Sequence, residues 1–124
     1  MIEHSYADVN GVNLHYAHCG QGPLIMFLHG FPEYWDMWKE QLEEFGKDHL
    51  AVAPDMRGYN LSSKPQEVSQ YKQKYLMEDI RLLAEHLGFK KFILGRRGGL
   101  DLCHVLSAKP GKAYYCEFPP PGGL

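Results

Sequence analysis

The stretch Leu24-Ile25-Met26-Phe27-Leu28-His29-Gly30-Phe31-Pro32-Glu33 decides how the rest of the chain is read. Its first five residues are apolar without interruption and make up the length of one strand, so both faces of that strand are expected to be covered. Such a strand belongs in the middle of a sheet. The run stops at His29-Gly30, and Pro32 then fixes a φ angle and removes an N–H donor. A turn at the carboxyl end of a central strand is where open α/β sheets place their ligands.

Working outward toward the N-terminus, Ser5 to Val9 and Val12 to His18 each alternate apolar and polar residues. Asn10-Gly11 between them favours the positive φ angles of a tight turn, which predicts an antiparallel hairpin. Gly20-Gln21-Gly22-Pro23 breaks the chain before the central strand. Toward the C-terminus, Trp35, Trp38, Leu42 and Phe45 recur at three- and four-residue steps among charged residues and predict a helix with one apolar stripe. Leu50 to Ala53 reads as a second short strand, and a loop rich in Gly, Asn, Ser and Pro runs on to about Pro65. Leu76, Ile80, Leu83 and Leu87 predict a helix from roughly Tyr71 to Leu87, with Gly88 as its C′ residue. Lys91 to Leu94 reads as one more strand. Strands alternating with helices through short connections place the chain in the α/β class, with parallel strands covered by helices.

Size and charge narrow the function. With 124 residues and 44% apolar content, one domain is the ceiling. Thirteen basic against fifteen acidic residues give a formal charge of -2, with no Lys/Arg cluster to neutralise a phosphate backbone, so no nucleic-acid partner is expected. The longest apolar run is too short to span a bilayer, and the N-terminus has neither a charged n-region nor an h-region, so a cytoplasmic protein without a membrane partner is expected. Cys19, Cys103 and Cys116 are widely spaced and odd in number, which reads as free thiols. No metal or cofactor is expected: G-x-G-x-x-G is absent around Gly95, Gly98 and Gly99, and no phosphate-binding Lys or Ser/Thr follows.

His29-Gly30-Phe31-Pro32-Glu33, taken with Asp55-Met56-Arg57-Gly58-Tyr59 downstream, resembles the HGFPE and DxRGYG-type segments of α/β-hydrolases of the epoxide hydrolase and haloacid or haloalkane dehalogenase kind. Each segment follows a predicted strand, and the likeness runs from about Ser5 to Gly95. The resemblance implies a small-molecule hydrolase in which the Phe31 N–H forms half of an oxyanion hole and Gly98 lies at the other half. Such donors stabilise charge developing on a carboxyl oxygen because they are held in place before reaction. His29, Gly30, Pro32 and Glu33 form the oxyanion loop, and Pro32 makes the Phe31–Pro32 bond a candidate for the cis form. Asp55, Arg57, Gly58 and Tyr59 are expected to be structural, with Asp55 and Arg57 bracing the loop as a pair. His29 is expected to be a hydrogen-bonded strand-end residue; the family's catalytic base lies far downstream.

A nucleophile elbow, G-x-nucleophile-x-G, needs its glycines because strand and helix backbones nearly touch there. The family carries a segment like VGHDWGG at this place, whose Asp attacks an epoxide or C–halogen carbon. Here the chain reads Gly95-Arg96-Arg97-Gly98-Gly99, so Arg97 stands at the nucleophile's position. A guanidinium stays protonated and cannot attack. Asp101, Cys103 and His104 beyond the turn show no recognisable base or orienter pattern.

Back-translation offers a cause. If Ile93 to Asp101 is encoded ATC CTG GGG CGG CGC GGT GGC CTG GAC, reading from the second base of the Leu94 codon yields Trp-Gly-Gly-Ala-Val-Ala-Trp, the family's continuation after its nucleophile. Residues 1–99 are therefore read as the N-terminal portion of an α/β-hydrolase core domain, and 100–124 as an aberrant, frame-shifted tail with a short helix followed by disorder. The expectation is a parent enzyme that hydrolyses an epoxide or C–halogen bond through an Asp-ester, and a chain made inactive by loss of nucleophile, acid and His base. An uncovered sheet edge is expected to promote self-association. The alternatives left open are a non-catalytic interaction fragment and a parent esterase with a Ser nucleophile.

Overall fold

Asn10 and Gly11 adopt positive φ angles of 52° and 79°, and the chain turns tightly between β1 (Glu3–Val9) and β2 (Val12–Cys19). The two strands pair antiparallel in the register Val9 opposite Val12 and Glu3 opposite His18, which is the predicted hairpin. The structure is a computed structural model and describes residues 1–96. Arg97 and Gly98 of the elbow segment, and the tail read over 100–124 with Cys103 and Cys116, lie outside the described residues.

All five residues of β3 (Leu24–Leu28) are buried, as the unbroken apolar run requires. This strand lies parallel to both β4 (Leu50–Pro54) and β5 (Ile93–Arg96), and β2 runs antiparallel to β4. The order is β1-β2-β4-β3-β5, a mixed sheet with β3 between two parallel neighbours. Among the described residues β1 and β5 are its edges.

The helices cover opposite faces. Trp38 and Leu42 on one side pack with Ile25, Phe27, Ala51 and Ala53, and the Phe27 and Trp38 rings stack at 4.9 Å. Ile80, Leu83 and Ala84 on the other pack with Leu24, Met26, Leu28 and Val52. Because side chains alternate across β3, each helix receives every second residue of the same apolar run.

Three expected element boundaries are corrected in detail. The helix beginning at Trp35 is a 3-10 turn over Trp35–Trp38 that passes into α1 (Lys39–Phe45). The apolar stripe survives this change of pitch, since Trp35 and Phe45 still pack against the Trp38 and Leu42 layer. The second helix, α2 (Gln73–His86), starts later than Tyr71, because Lys72 is extended at ψ 148° and Val68–Tyr71 forms a separate 3-10 turn. At its C-terminus Gly88 N–H donates to Glu85 O and Phe89 N–H to Ala84 O, the Schellman pairing that a C′ glycine permits. The last strand is displaced toward the C-terminus: Ile25 pairs with Ile93 and Leu28 with Arg96, so Gly95 lies in the strand. The alternation in β2 does not turn its polar positions to solvent. His15 is 1% exposed, because β1 and the loop after β4 close over it.

Candidate functional site

The turn after β3 is held by its own first residue. His29 is 4% exposed; its Nδ1 lies 2.9 Å from the Gly30 carbonyl and its Nε2 lies 2.9 Å from the Met56 N–H. A backbone N–H can only donate, so Nε2 is the unprotonated nitrogen and Nδ1–H donates to Gly30 O. Burial is the main cause of a lowered His29 pKa; the Gly30 carbonyl and the charges of Asp55 and Glu33 oppose it. The neutral ring thus ties the end of β3 to the segment leaving β4.

Beyond His29 the Phe31–Pro32 bond is cis, and Glu33 N–H donates to Gly30 O at 2.8 Å. With cis proline third of the four residues 30–33, this is a type VI turn. It leaves Phe31 83% exposed, and its N–H has no hydrogen-bond partner among the described residues. Tyr59 packs edge-on to His29 at 4.6 Å and to Phe31 at 6.4 Å, so the two sequence segments meet at one end of the sheet. Beside them, Leu28, His29, Met56, Gln73, Leu76 and Met77 line a pocket of about 50 Å³. Small-molecule sites run from roughly 300 Å³ upward, so this pocket by itself is smaller than such a site.

Asp55 and Arg57 do not pair with each other, which corrects the expected Asp–Arg brace. Both residues lie beyond the end of β4, where the chain leaves the sheet and turns, and they find different partners. Asp55 is fully buried and lies 2.7 Å from His15 Nδ1. It also accepts the Trp35 N–H at 2.9 Å, the Asn60 side-chain amide at 3.0 Å and the Leu61 N–H at 3.4 Å. Arg57, 2% exposed, donates from Nε and Nη2 to the two carboxylate oxygens of Asp79 on α2, each at 2.7 Å. Its remaining donors reach Gln70 O at 2.8 Å and Asn10 O at 3.4 Å, and Asn10 Nδ2 donates to Asp79. The guanidinium thus joins the hairpin tip, the loop after β4 and α2. Gly58, at φ 90°, lets the chain pass over the Tyr71 ring.

His15 and Asp79 were not singled out by the sequence. Asp79 sits between Leu76 and Leu83 on the stripe α2 buries, and a carboxylate on a buried stripe needs a partner; that signal was available. His15 occupies a polar position of an alternating strand, and nothing local marks it as buried. Among the described residues no group of three or more His, Cys, Asp or Glu could hold a metal ion, and no helix is long and apolar enough to cross a membrane.

A mixed sheet with β3 between parallel neighbours, helices on both faces and a cis-proline turn at the end of β3 fit an α/β-hydrolase architecture. The alpha/beta hydrolase fold family matches residues 23–95, more than half of the chain, and the chain belongs to that family. Among individual relatives, the chain is 40% identical over 126 aligned residues to Epoxide hydrolase 1 of Caenorhabditis elegans, covering 96% of this chain and 31% of that protein. The crystal structure of an epoxide hydrolase from Vigna radiata superposes with a TM-score of 0.75 at 41% identity, over 77% of this chain and 32% of that one. The epoxide hydrolase of Bacillus megaterium, solved with an inhibitor, gives 0.73 at 49% identity, over 74% and 32%. The chain therefore resembles epoxide hydrolases and spans about a third of their length.

Proposed function

We propose that this chain carries the oxyanion half of an epoxide-hydrolysing site whose nucleophile position is blocked by Arg97, so that the parent enzyme opens epoxides through an Asp-ester while this chain forms no such ester. The observation that carries the reading is the register of β5: Arg96, the residue before position 97, lies opposite Leu28, so β5 ends beside the end of β3 from which the Phe31 turn departs. In the parent chemistry a carboxylate attacks an epoxide carbon as its C–O bond breaks, a downstream acid protonates the released oxygen, and a hydroxyalkyl ester forms. Water that gives its proton to the downstream His base then adds to the ester carbonyl, the negative charge on that oxygen is met by N–H donors at Phe31 and Gly98, and cleavage of the acyl C–O bond releases the diol and restores the carboxylate. The names of the relatives favour an epoxide over a C–halogen substrate. A protonated guanidinium has no lone pair to attack with, so the first step fails at position 97.

The division into core residues 1–99 and a tail of 100–124 belongs to the same reading. So does self-association through the outer edge of β5, which pairs with β3 on one side among the described residues. Sedimentation at rising concentration is expected to show growth in mass, and a single monomeric species at all concentrations would remove this part.

The test incubates the purified chain with a styrene-type epoxide, a haloacid and an aryl ester, followed by intact-mass and peptide analysis. No adduct and no turnover are expected, while a full-length version with a carboxylate at the elbow turns over the epoxide. A covalent adduct anywhere in residues 95–99 of this chain would defeat the proposal. Turnover of the aryl ester alone, by a full-length version with Ser at the elbow, would replace the carboxylate by a serine.

A further inference from the structure

A hydrogen-bonded chain runs from the protein surface to the far anchor of the Phe31 turn. His4 on β1 is exposed, and its Nδ1 lies 3.0 Å from Nε2 of buried His15. His15 Nδ1 lies 2.7 Å from Asp55, and Asp55 in turn accepts the Trp35 N–H at 2.9 Å. The two imidazoles stack at 5.1 Å, and the Trp35 ring meets them edge-on at 5.0 and 6.5 Å.

We propose that His15 and His4 are positioning residues for the Phe31 donor: their hydrogen-bonded chain orients the Asp55 carboxylate, which in turn holds Trp35 at the far end of the turn. The proposal rests on the reading of the Phe31 N–H as an oxyanion donor. Residues 30–34 form a short span clamped at both ends by the segment leaving β4: His29 by the Met56 N–H, and Trp35 by Asp55. Whatever alters the Asp55 grip therefore alters the span that carries Phe31.

A carboxyl group that accepts from three N–H donors besides an imidazole acts as a carboxylate, so the hydrogen between it and His15 resides on Nδ1. His15 Nε2 then accepts from His4 Nδ1–H, so both ring nitrogens of His15 are engaged and its orientation toward Asp55 is fixed from the surface side. The groups facing His15 are His4 and Tyr6 from β1, the latter with its ring at 5.3 Å. Asp55 faces it from the end of β4, Trp35 from the turn after β3, and Ser62 from the loop, where Oγ accepts the His15 N–H. His29 stands close enough to feel the Asp55 charge.

The test compares amide nuclear magnetic resonance spectra of the labelled full chain with those of its His4→Leu and His4→Gln variants at one pH. His4→Leu, which cannot hydrogen-bond His15, is expected to shift the Trp35 amide, with a smaller movement at the Phe31 amide; His4→Gln, whose side-chain amide can still donate to His15 Nε2, is expected to restore most of the original position. His15→Leu strands the Asp55 carboxylate and is liable to unfold the chain, so the exposed His4 is the informative position. A Trp35 amide that stays in place in His4→Leu, or that moves equally in His4→Gln, overturns the proposal. The spectra involve no substrate, so failure of epoxide turnover in a full-length, elbow-restored enzyme would refute the hydrolase reading and leave this coupling measurable.

Discussion

At the scale of single residues, two positions carry sharp consequences. Gly58 adopts φ 90°, and a Cβ there would lie 2.6 Å from a Tyr71 ring carbon. An alanine must bear both left-handed strain and a clash, so Gly58→Ala is expected to cost roughly 2 kcal/mol or more, read as a lowered urea midpoint at unchanged slope. His29 is held neutral by burial, with a folded-state pKa below its usual value. Below the unfolded imidazole's pKa of about 6.5 the unfolded chain binds more protons than the folded one. The stabilising contribution is therefore complete above that pH and is lost as pH falls toward the folded value. Urea midpoints are expected to drop between about pH 7 and about pH 5, and His29→Gln, which retains a donor and an acceptor, should flatten that drop. His18, also lowered mainly by burial, keeps the slope from vanishing.

At the scale of elements, the hairpin, the loop after β4 and α2 are joined by Arg57 and Asp79, whose side chains are 1% and 3% exposed. Desolvating both ions offsets much of their attraction, so the pair contributes less to net stability than its geometry suggests. Removing one partner is a different matter. Asp79→Asn leaves Arg57 buried without its counter-charge and is expected to cost about 3 kcal/mol, whereas Arg57→Met with Asp79→Leu recovers most of that loss. Urea unfolding of the single and double variants measures it; equal losses in both would show that shape rather than charge governs the site. The same region shows where local reading falls short. The stripe Leu76, Ile80, Leu83 revealed α2, but the start of the helix depended on Lys72 being extended, and Tyr71 was drawn into the loop by its hydroxyl bond to Pro65 O.

At the scale of the whole molecule, the sheet separates two apolar layers, one centred on Phe27, Trp38 and Leu42, the other on Met26, Ile80 and Leu83. Ile25 belongs to the first and Ile80 to the second. Ile25→Val and Ile80→Val are each expected to cost about 1 kcal/mol. Because they share no partner across the sheet, the double variant should equal the sum within about 0.5 kcal/mol. A larger departure, measured by urea unfolding, would mean that the two layers act as a single core through the strand between them.

Periodicity alone determined the hairpin at Asn10-Gly11, the twice-covered strand Leu24–Leu28, both amphipathic helices and the Gly88 stop, because each follows from contacts between near neighbours along the chain. The turn with Phe31 and Pro32, and the fact that it ends a central strand, were legible for the same reason. Partners separated by long stretches of sequence were decided by tertiary structure. The sheet brought His15 to Asp55, and the packing of α2 on the hairpin brought Arg57 to Asp79 and Asn10. A buried polar group must find a partner, but which one is available depends on what folding places within reach, and no local pattern encodes that distance.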